Sequence, residues 1–308
     1  MIEVGIMIEA QNGVYWPQWQ RLAKAAEDLG FVGLWRSDHF TNTEPPDKAS
    51  LELWISLTWL ASHTRRIQFG QLVSPAAFRH PAMVARMATA VDDLSGGRFW
   101  LGLGAGWQVR EHTHFGYDLL NVKARCDRFE EYVEVVAGLL RDDVSISFEG
   151  DYYRLQDAIV LPRPQRPGGP PIVVGGNGPK RTLPIAAKFA DGWNGVFLTP
   201  EKYVALNSRL DALLEAEARA PADVHRSLMT GVLFGRDDAE VAAKLAPHRR
   251  TLAEYCASGG VGGTANAIVE QLGKLAEAGV QRVMLQWMDV DDIDGLAALA
   301  DGVLRQMA

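Results

Sequence analysis

Four short stretches hold the residue types from which chemistry can be built. Arg36-Ser37-Asp38-His39 sets an acid beside an imidazole, and in an extended loop such neighbours diverge toward different partners. A histidine placed there can donate a proton or a hydrogen bond near neutral pH, although a loop histidine satisfied by its neighbours is the plainer reading. Residues 102–112, GLGAGWQVREH, carry Gly102, Gly104 and Gly106 at period two, followed by Trp107 and Glu111. Alternate glycines clear one strand face for a flat group, and a tight barrel interior accepts them equally. Residues 69–81, FGQLVSPAAFRHP, end an apolar strand at Gln71-Leu72-Val73 and turn at Ser74-Pro75, with Arg79-His80 exposed before a helix. Residues 170–183, PPIVVGGNGPKRTL, cluster Gly175, Gly176, Asn177, Gly178 and Pro179 ahead of Lys180 and Arg181.

That last cluster fits neither G-x-x-x-x-G-K-[ST] nor G-x-G-x-x-G, so alone it reads as a strand-to-helix turn. Its place at a helix start, where free N–H groups and the dipole favour an anion, supports a phosphate site. Against this, Pro179 and Pro184 each lack an N–H, and phosphate sites in α/β barrels more often follow strands seven and eight. The cleared strand beside it tips the reading toward phosphate.

The elements that must position these stretches alternate. Strand patterns fall at 2–8, 32–36, 66–73, 98–104, 171–176, 192–198, 227–235 and 281–287. Helical patterns fall at about 17–30, 50–63, 80–94, 121–141, 180–190, 200–219, 237–257, 264–278 and 292–306. Several strands are near-continuous apolar runs, as sheets covered on both faces require. Eight strands, each followed by a helix, predict a (β/α)8 TIM barrel, with a doubly wound sheet as the alternative. Residues 142–170 break the alternation and read as an inserted hairpin and irregular segment before strand five. The polar loop 38–50 is longer than a minimal connection requires. One barrel domain over 1–308 is expected, and its chemistry belongs at the C-terminal strand ends, where all four stretches lie. Trp16, Trp35, Trp193 and Trp287 also fall near strand ends and, with Trp107, suit a planar aromatic ligand.

Composition narrows the class. The 308 residues are 47% hydrophobic and carry a net charge of -7, which argues against a nucleic-acid surface. The N-terminus lacks a basic region followed by an apolar one, and no apolar run approaches the ~18 residues of a membrane span, so a cytoplasmic protein is expected. Cys126 and Cys256 are too few for a disulfide framework and too isolated for a metal site.

Taken together, SDHF (37–40), the block 51–87, LSGGRFWLGLGAGWQVREH (94–112), RFEEYVEV (128–135) and the stretch 170–194 resemble the luciferase-like monooxygenase family of flavin- and deazaflavin-dependent barrel oxidoreductases. The likeness runs from Gly5 to about Trp193 and fades beyond. DHF with GAGW is most similar to the branch that uses coenzyme F420, an 8-hydroxy-5-deazaflavin. The resemblance implies that Asp38 and His39 lie beside the reactive edge of the ring. It implies a non-prolyl cis peptide at Gln71–Leu72, with Val73 in the same supporting bulge, and a ring contact at Ala105-Gly106. It further implies a phosphate turn at Gly175, Gly176, Asn177, Gly178 and Pro179, with Arg181 beside it. One departure matters: sugar-phosphate dehydrogenases of that branch carry a glutamate acid/base where this chain has Trp107, so their reaction is not assigned.

The function expected is hydride transfer between F420 and a small organic substrate, with His39 as the proton partner, in a homodimer. Lys180, Arg181 and Arg79 are the candidate cations for the acidic tail of F420. An FMN-dependent monooxygenase served by a separate reductase is the alternative, and a non-catalytic flavin-binding protein is a third.

Overall fold

The computed structural model describes residues 2–307. Eight parallel strands form its centre: β1 (Glu3–Ile8), β2 (Gly33–Arg36), β3 (Gln68–Gln71), β4 (Phe99–Gly104), β5 (Ile172–Gly175), β6 (Gly192–Val196), β7 (His225–Phe234) and β8 (Arg282–Gln286). Each pairs with its neighbour in sequence, and β8 returns to β1 through Glu3↔Arg282 to Met7↔Gln286. The sheet therefore closes into a barrel, and the doubly wound alternative is excluded. All eight expected strands are present.

The strands are apolar on both faces because helices cover the outside and a second cluster fills the inside. Outside, Trp16–Asp28 buries Trp19, Leu22 and Ala23, and Val122–Arg141 buries Phe129, Tyr132 and Val136. Inside, Met7, Trp35, Met229 and Met284 pack together beneath Leu72 and Val196. This plug gives the barrel mouth a solid floor.

Two helices depart from expectation. The helix expected over 237–257 is broken into Asp238–Leu245 and Leu252–Ala257, joined through a 3-10 turn with Arg249 in the left-handed region. Pro247 in that turn lacks the N–H that an unbroken helix would need. A short helix, Val109–Phe115, follows β4 where none was expected. Residues 142–170 contain the expected hairpin, Ile146–Glu149 with Arg154–Ala158, whose tip donates three backbone N–H bonds to Glu131.

Candidate active site

A cavity of about 760 Å³ opens at the C-terminal ends of the strands, within the ~300–1,000 Å³ usual for cofactor and small-molecule sites. His39, Leu72, Val73, Ala105, Gly106, Gly175, Gly176, Gly178, Pro179 and Arg181 line it. Asp38 and Gln71 are buried behind that wall, and the exposed Asn177 lies outside the lining.

The His39 side is built by a clamp between two segments far apart in the chain. The short helix Val109–Phe115 grips the loop after β2: Gln108 Nε2 donates to the Thr41 carbonyl at 2.8 Å, and Arg110 forks onto Asp47 at 2.6 and 2.7 Å. Between these anchors the fully buried Glu111 accepts from His39 Nδ1 at 2.9 Å and from the Phe40 N–H at 3.1 Å. Burial alone would lower the His39 pKa. The hydrogen bond and charge of Glu111, aided by Glu9 and Asp38, outweigh it, and His39 is held above the ordinary imidazole value. Nδ1 is committed to Glu111, which leaves Nε2 to exchange a proton. Trp107, 59% exposed, stands edge-on to the imidazole with ring centroids 5.8 Å apart.

Asp38 has a different task. Buried, it accepts from Ser74 Oγ at 2.6 Å and pairs with Arg79, which also reaches Glu52 at 2.9 Å. This triad ties the end of β2 to the start of the helix Pro81–Ser95. Arg79, expected to be exposed and available for an acidic tail, is consumed by that tie and lies outside the cavity lining.

The back wall is a bulge after β3. Its non-prolyl cis peptide joins Leu72 to Val73, one residue beyond the Gln71–Leu72 bond expected from the sequence. The displacement has a cause: the Leu72 N–H still donates to the Arg36 carbonyl at 2.9 Å, so the Gln71–Leu72 peptide remains in the parallel ladder and the chain departs only after it.

The glycines fit around this bulge. A Cβ on Gly102 would lie 1.9 Å from the Gln71 carbonyl oxygen. On Gly104 or Gly175 it would lie 2.4 or 2.7 Å from a Val73 methyl. At Gly102 and Gly104 the face cleared at period two is thus filled by protein, the barrel-interior alternative of the two readings the sequence allowed. These glycines hold the bulge, and the bulge faces the cavity. Gly106, at φ +86°, turns the chain away from β4 toward Trp107.

Across the mouth, β5 runs into Gly175, Gly176 (φ +127°), Asn177 and Gly178, and then into the helix Thr182–Phe189. No side chain caps that helix; the Leu183 N–H donates to the Gly178 carbonyl at 3.0 Å, and the Thr182 N–H has no partner among the described residues, a donor of the kind that attracts anions. Pro184 falls within the first turn and breaks no helical bond. Asn177 clamps the turn to β6, donating to the Val196 carbonyl at 2.8 Å and accepting its N–H at 2.9 Å. Arg181 pairs with Asp127 at 3.0 Å, whereas Lys180 has no ion pair among the described residues.

Sequence reasoning missed Glu9, Val122, Arg125, Asn194, Phe197 and Met229, all on the cavity wall. Glu9 carried a usable signal, an acid directly after the first strand. Arg125 and Val122 carried none, since they begin a long amphipathic helix. Of the strand-end tryptophans, Trp35, Trp193 and Trp287 are buried in packing, and only Trp107 reaches the cavity.

Comparison with known proteins follows the same outline. Over 224 residues the chain is 32% identical to the F420-dependent glucose-6-phosphate dehydrogenase of Kineococcus radiotolerans, covering 71% of this chain and 64% of that protein. Over 175 residues it is 34% identical to the F420-dependent hydroxymycolic acid dehydrogenase of Mycobacterium tuberculosis, covering 56% and 46%. The chain thus spans between about half and two thirds of these relatives. An F420-dependent secondary alcohol dehydrogenase solved with an F420–acetone adduct superposes with TM-score 0.83 at 20% identity, covering 98% of each chain. The family model described as luciferase-like monooxygenase matches residues 2–303. The chain belongs to the luciferase-like monooxygenase family.

Proposed function

We propose that this protein is an F420-dependent oxidoreductase that transfers a hydride to or from a small organic substrate. The observation that carries the reading is the continuity of one cavity, from the imidazole of His39 across the Leu72–Val73 bulge to the uncapped helix behind Gly175–Gly178. The residues present fit such a cofactor. The bulge offers an apolar wall to a ring, and the open helix start offers donors to a phosphate. Arg125, Lys180 and Arg181 line the same side as that helix and offer charge to an acidic tail.

When bound, the deazaflavin supplies the hydride donor or acceptor. His39 supplies the proton when the substrate is reduced and takes it up when the substrate is oxidised, at Nε2, while Glu111 fixes its ring and tautomer. Asp38 and Arg79 brace the loop that carries His39. Trp107, in the position where sugar-phosphate dehydrogenases of the deazaflavin branch carry glutamate, offers no second acid. The protein acts as one barrel domain and as a homodimer, in the cytoplasm.

A second reading, an FMN monooxygenase served by a separate reductase, draws on the 35% identity over 154 residues to a 4-hydroxyprotoasukamycin monooxygenase of Streptomyces nodosus, half of this chain and 40% of that one. Titrating the protein with F420 and with FMN, each followed by its own fluorescence, separates the two. F420 is expected to bind more tightly at low salt. Equal or tighter binding of FMN would transfer the assignment to the second reading.

A further inference from the structure

Glu9 lies on the cavity wall just beyond β1, beside His39 and on the opposite side of the barrel from Lys180 and Arg181, which follow β5. Its carboxylate is held by two neutral amides. Gln286 Nε2 donates to Oε1 at 2.6 Å and Gln11 Nε2 donates to Oε2 at 2.8 Å. The orientation of Gln11 is itself fixed: the buried Ser37 accepts the Ala10 N–H and donates its hydroxyl to Gln11 Oε1 at 2.6 Å. A carboxylate offers about four acceptor positions, so Glu9 keeps capacity toward the cavity. No Lys or Arg pairs with it among the described residues.

Apart from the cations Arg125, Lys180 and Arg181, the mouth exposes apolar side chains on several elements. Trp107, Val122 and Phe197 are 59, 65 and 43% exposed, although all three line the cavity. Surface of this kind gains by being covered. A fixed, unpaired negative charge beside it repels an anion and accepts a hydrogen bond from a hydroxyl.

We propose that the cavity selects an uncharged, largely apolar substrate bearing a hydroxyl or carbonyl group, and that Glu9 is the residue that turns anionic substrates away. The proposal rests on the reading of this cavity as the active site and narrows its substrate class. It places phosphorylated sugars outside that class, on the ground of charge at Glu9 in addition to the absence of a glutamate at position 107.

The test compares two alcohols of one shape, 1-phenylethanol and 4-(1-hydroxyethyl)benzoate, which differ by a carboxylate. Their binding is measured by ligand-observed NMR on the protein alone, with excess inorganic phosphate added to fill the anion side behind Gly175–Gly178, and on the F420-loaded protein, with F420 occupancy read separately from its fluorescence. The neutral alcohol is expected to bind roughly tenfold more tightly, the size of effect that one like charge exerts across several ångströms of partly exposed protein. Glu9→Gln should bring the two probes within a few-fold of each other, mainly by strengthening the carboxylate. Trp107→Ala should weaken both alike. The proposal is overturned if the carboxylate binds as well as the neutral alcohol, if Glu9→Gln leaves the gap unchanged, or if neither probe binds. The wild-type comparison decides even if a variant does not fold. If F420 fails to bind while the probe preference holds, the cofactor assignment falls and the selectivity stands.

Discussion

The two sides of the cavity are built on opposite plans. Beside β1 and β2, the proposed function rests on side chains: His39, Glu111 and Glu9, each oriented by hydrogen bonds at 2.6 to 3.1 Å. Beside β5 it is carried by backbone: Gly175, Gly176 and Gly178, with the N–H groups of an uncapped helix. The difference suits the tasks. Moving a proton needs an ionisable atom at one point, whereas holding a phosphate needs several converging donors and room to approach them. Damage on one side should therefore appear in rate and damage on the other in affinity.

The sharpest test of that division is His39→Ala. It should slow single-turnover hydride transfer by ~10²–10⁴ and leave F420 affinity nearly unchanged. Unchanged rates with collapsed affinity would erase the distinction between the two sides.

Glu111→Gln should act on the same side through His39. The substitution removes the charge and most of the hydrogen-bond strength that raise the imidazole pKa, and burial remains to lower it. The pH limb assigned to His39 should then move to lower pH, with a rate loss near neutrality of roughly tenfold per unit of displacement in the direction in which His39 donates its proton. A limb that does not move would assign the titration to another group. By linkage, His39 stabilises the folded wild type fully below the ordinary imidazole value, and this contribution fades as pH rises through the raised one.

Gly102→Ala probes the wall between the two sides. Its methyl would lie 1.9 Å from the Gln71 carbonyl, backbone that cannot swing aside. A loss of ~1–3 kcal/mol in stability is expected from such overpacking, read by urea denaturation, whereas Gly273→Ala, with open space at that position, should cost nothing. Equal stabilities would show that the bulge shifts freely.

The smallest expected effect lies on the backbone side. Lys180→Ala should weaken F420 binding by a few-fold at low salt and hardly at 1 M, where the Debye length shrinks to ~3 Å. Arg181→Ala should do less, because Asp127 already neutralises it. The reverse ranking would mean that the Arg181–Asp127 pair opens for the ligand.

This contrast also explains what was legible in the sequence. Backbone sites write themselves locally, so GGNGP was readable as a strand-to-helix turn, and all eight strands were readable from apolar runs and their spacing. Side-chain sites are assembled across the chain. His39 and Glu111 stand 72 positions apart, and nothing local marks them as partners. Glu9 depends in the same way on Gln286, brought alongside only when β8 closes onto β1. The cis bond was misplaced by one residue because the pairing of Leu72 with Arg36 decides where β3 ends, and that pairing is tertiary. Asp38 and Arg79 each read as available for a ligand for a similar reason, since their mutual ion pair spans 41 positions.

The socket around Val73 has a consequence for how this site can change over generations. Three segments meet there: the bulge after β3 sends in the side chain, while β4 and β5 withhold theirs at Gly104 and Gly175. No member can be enlarged by itself, since each gap is already occupied by another's atoms. Yet a smaller residue at position 73 would open room for a methyl at position 104 or 175. Substitutions harmful one at a time become tolerable in pairs, so these positions should be inherited as a set, with the pocket's back wall remodelled in steps that cross β3, β4 and β5 together.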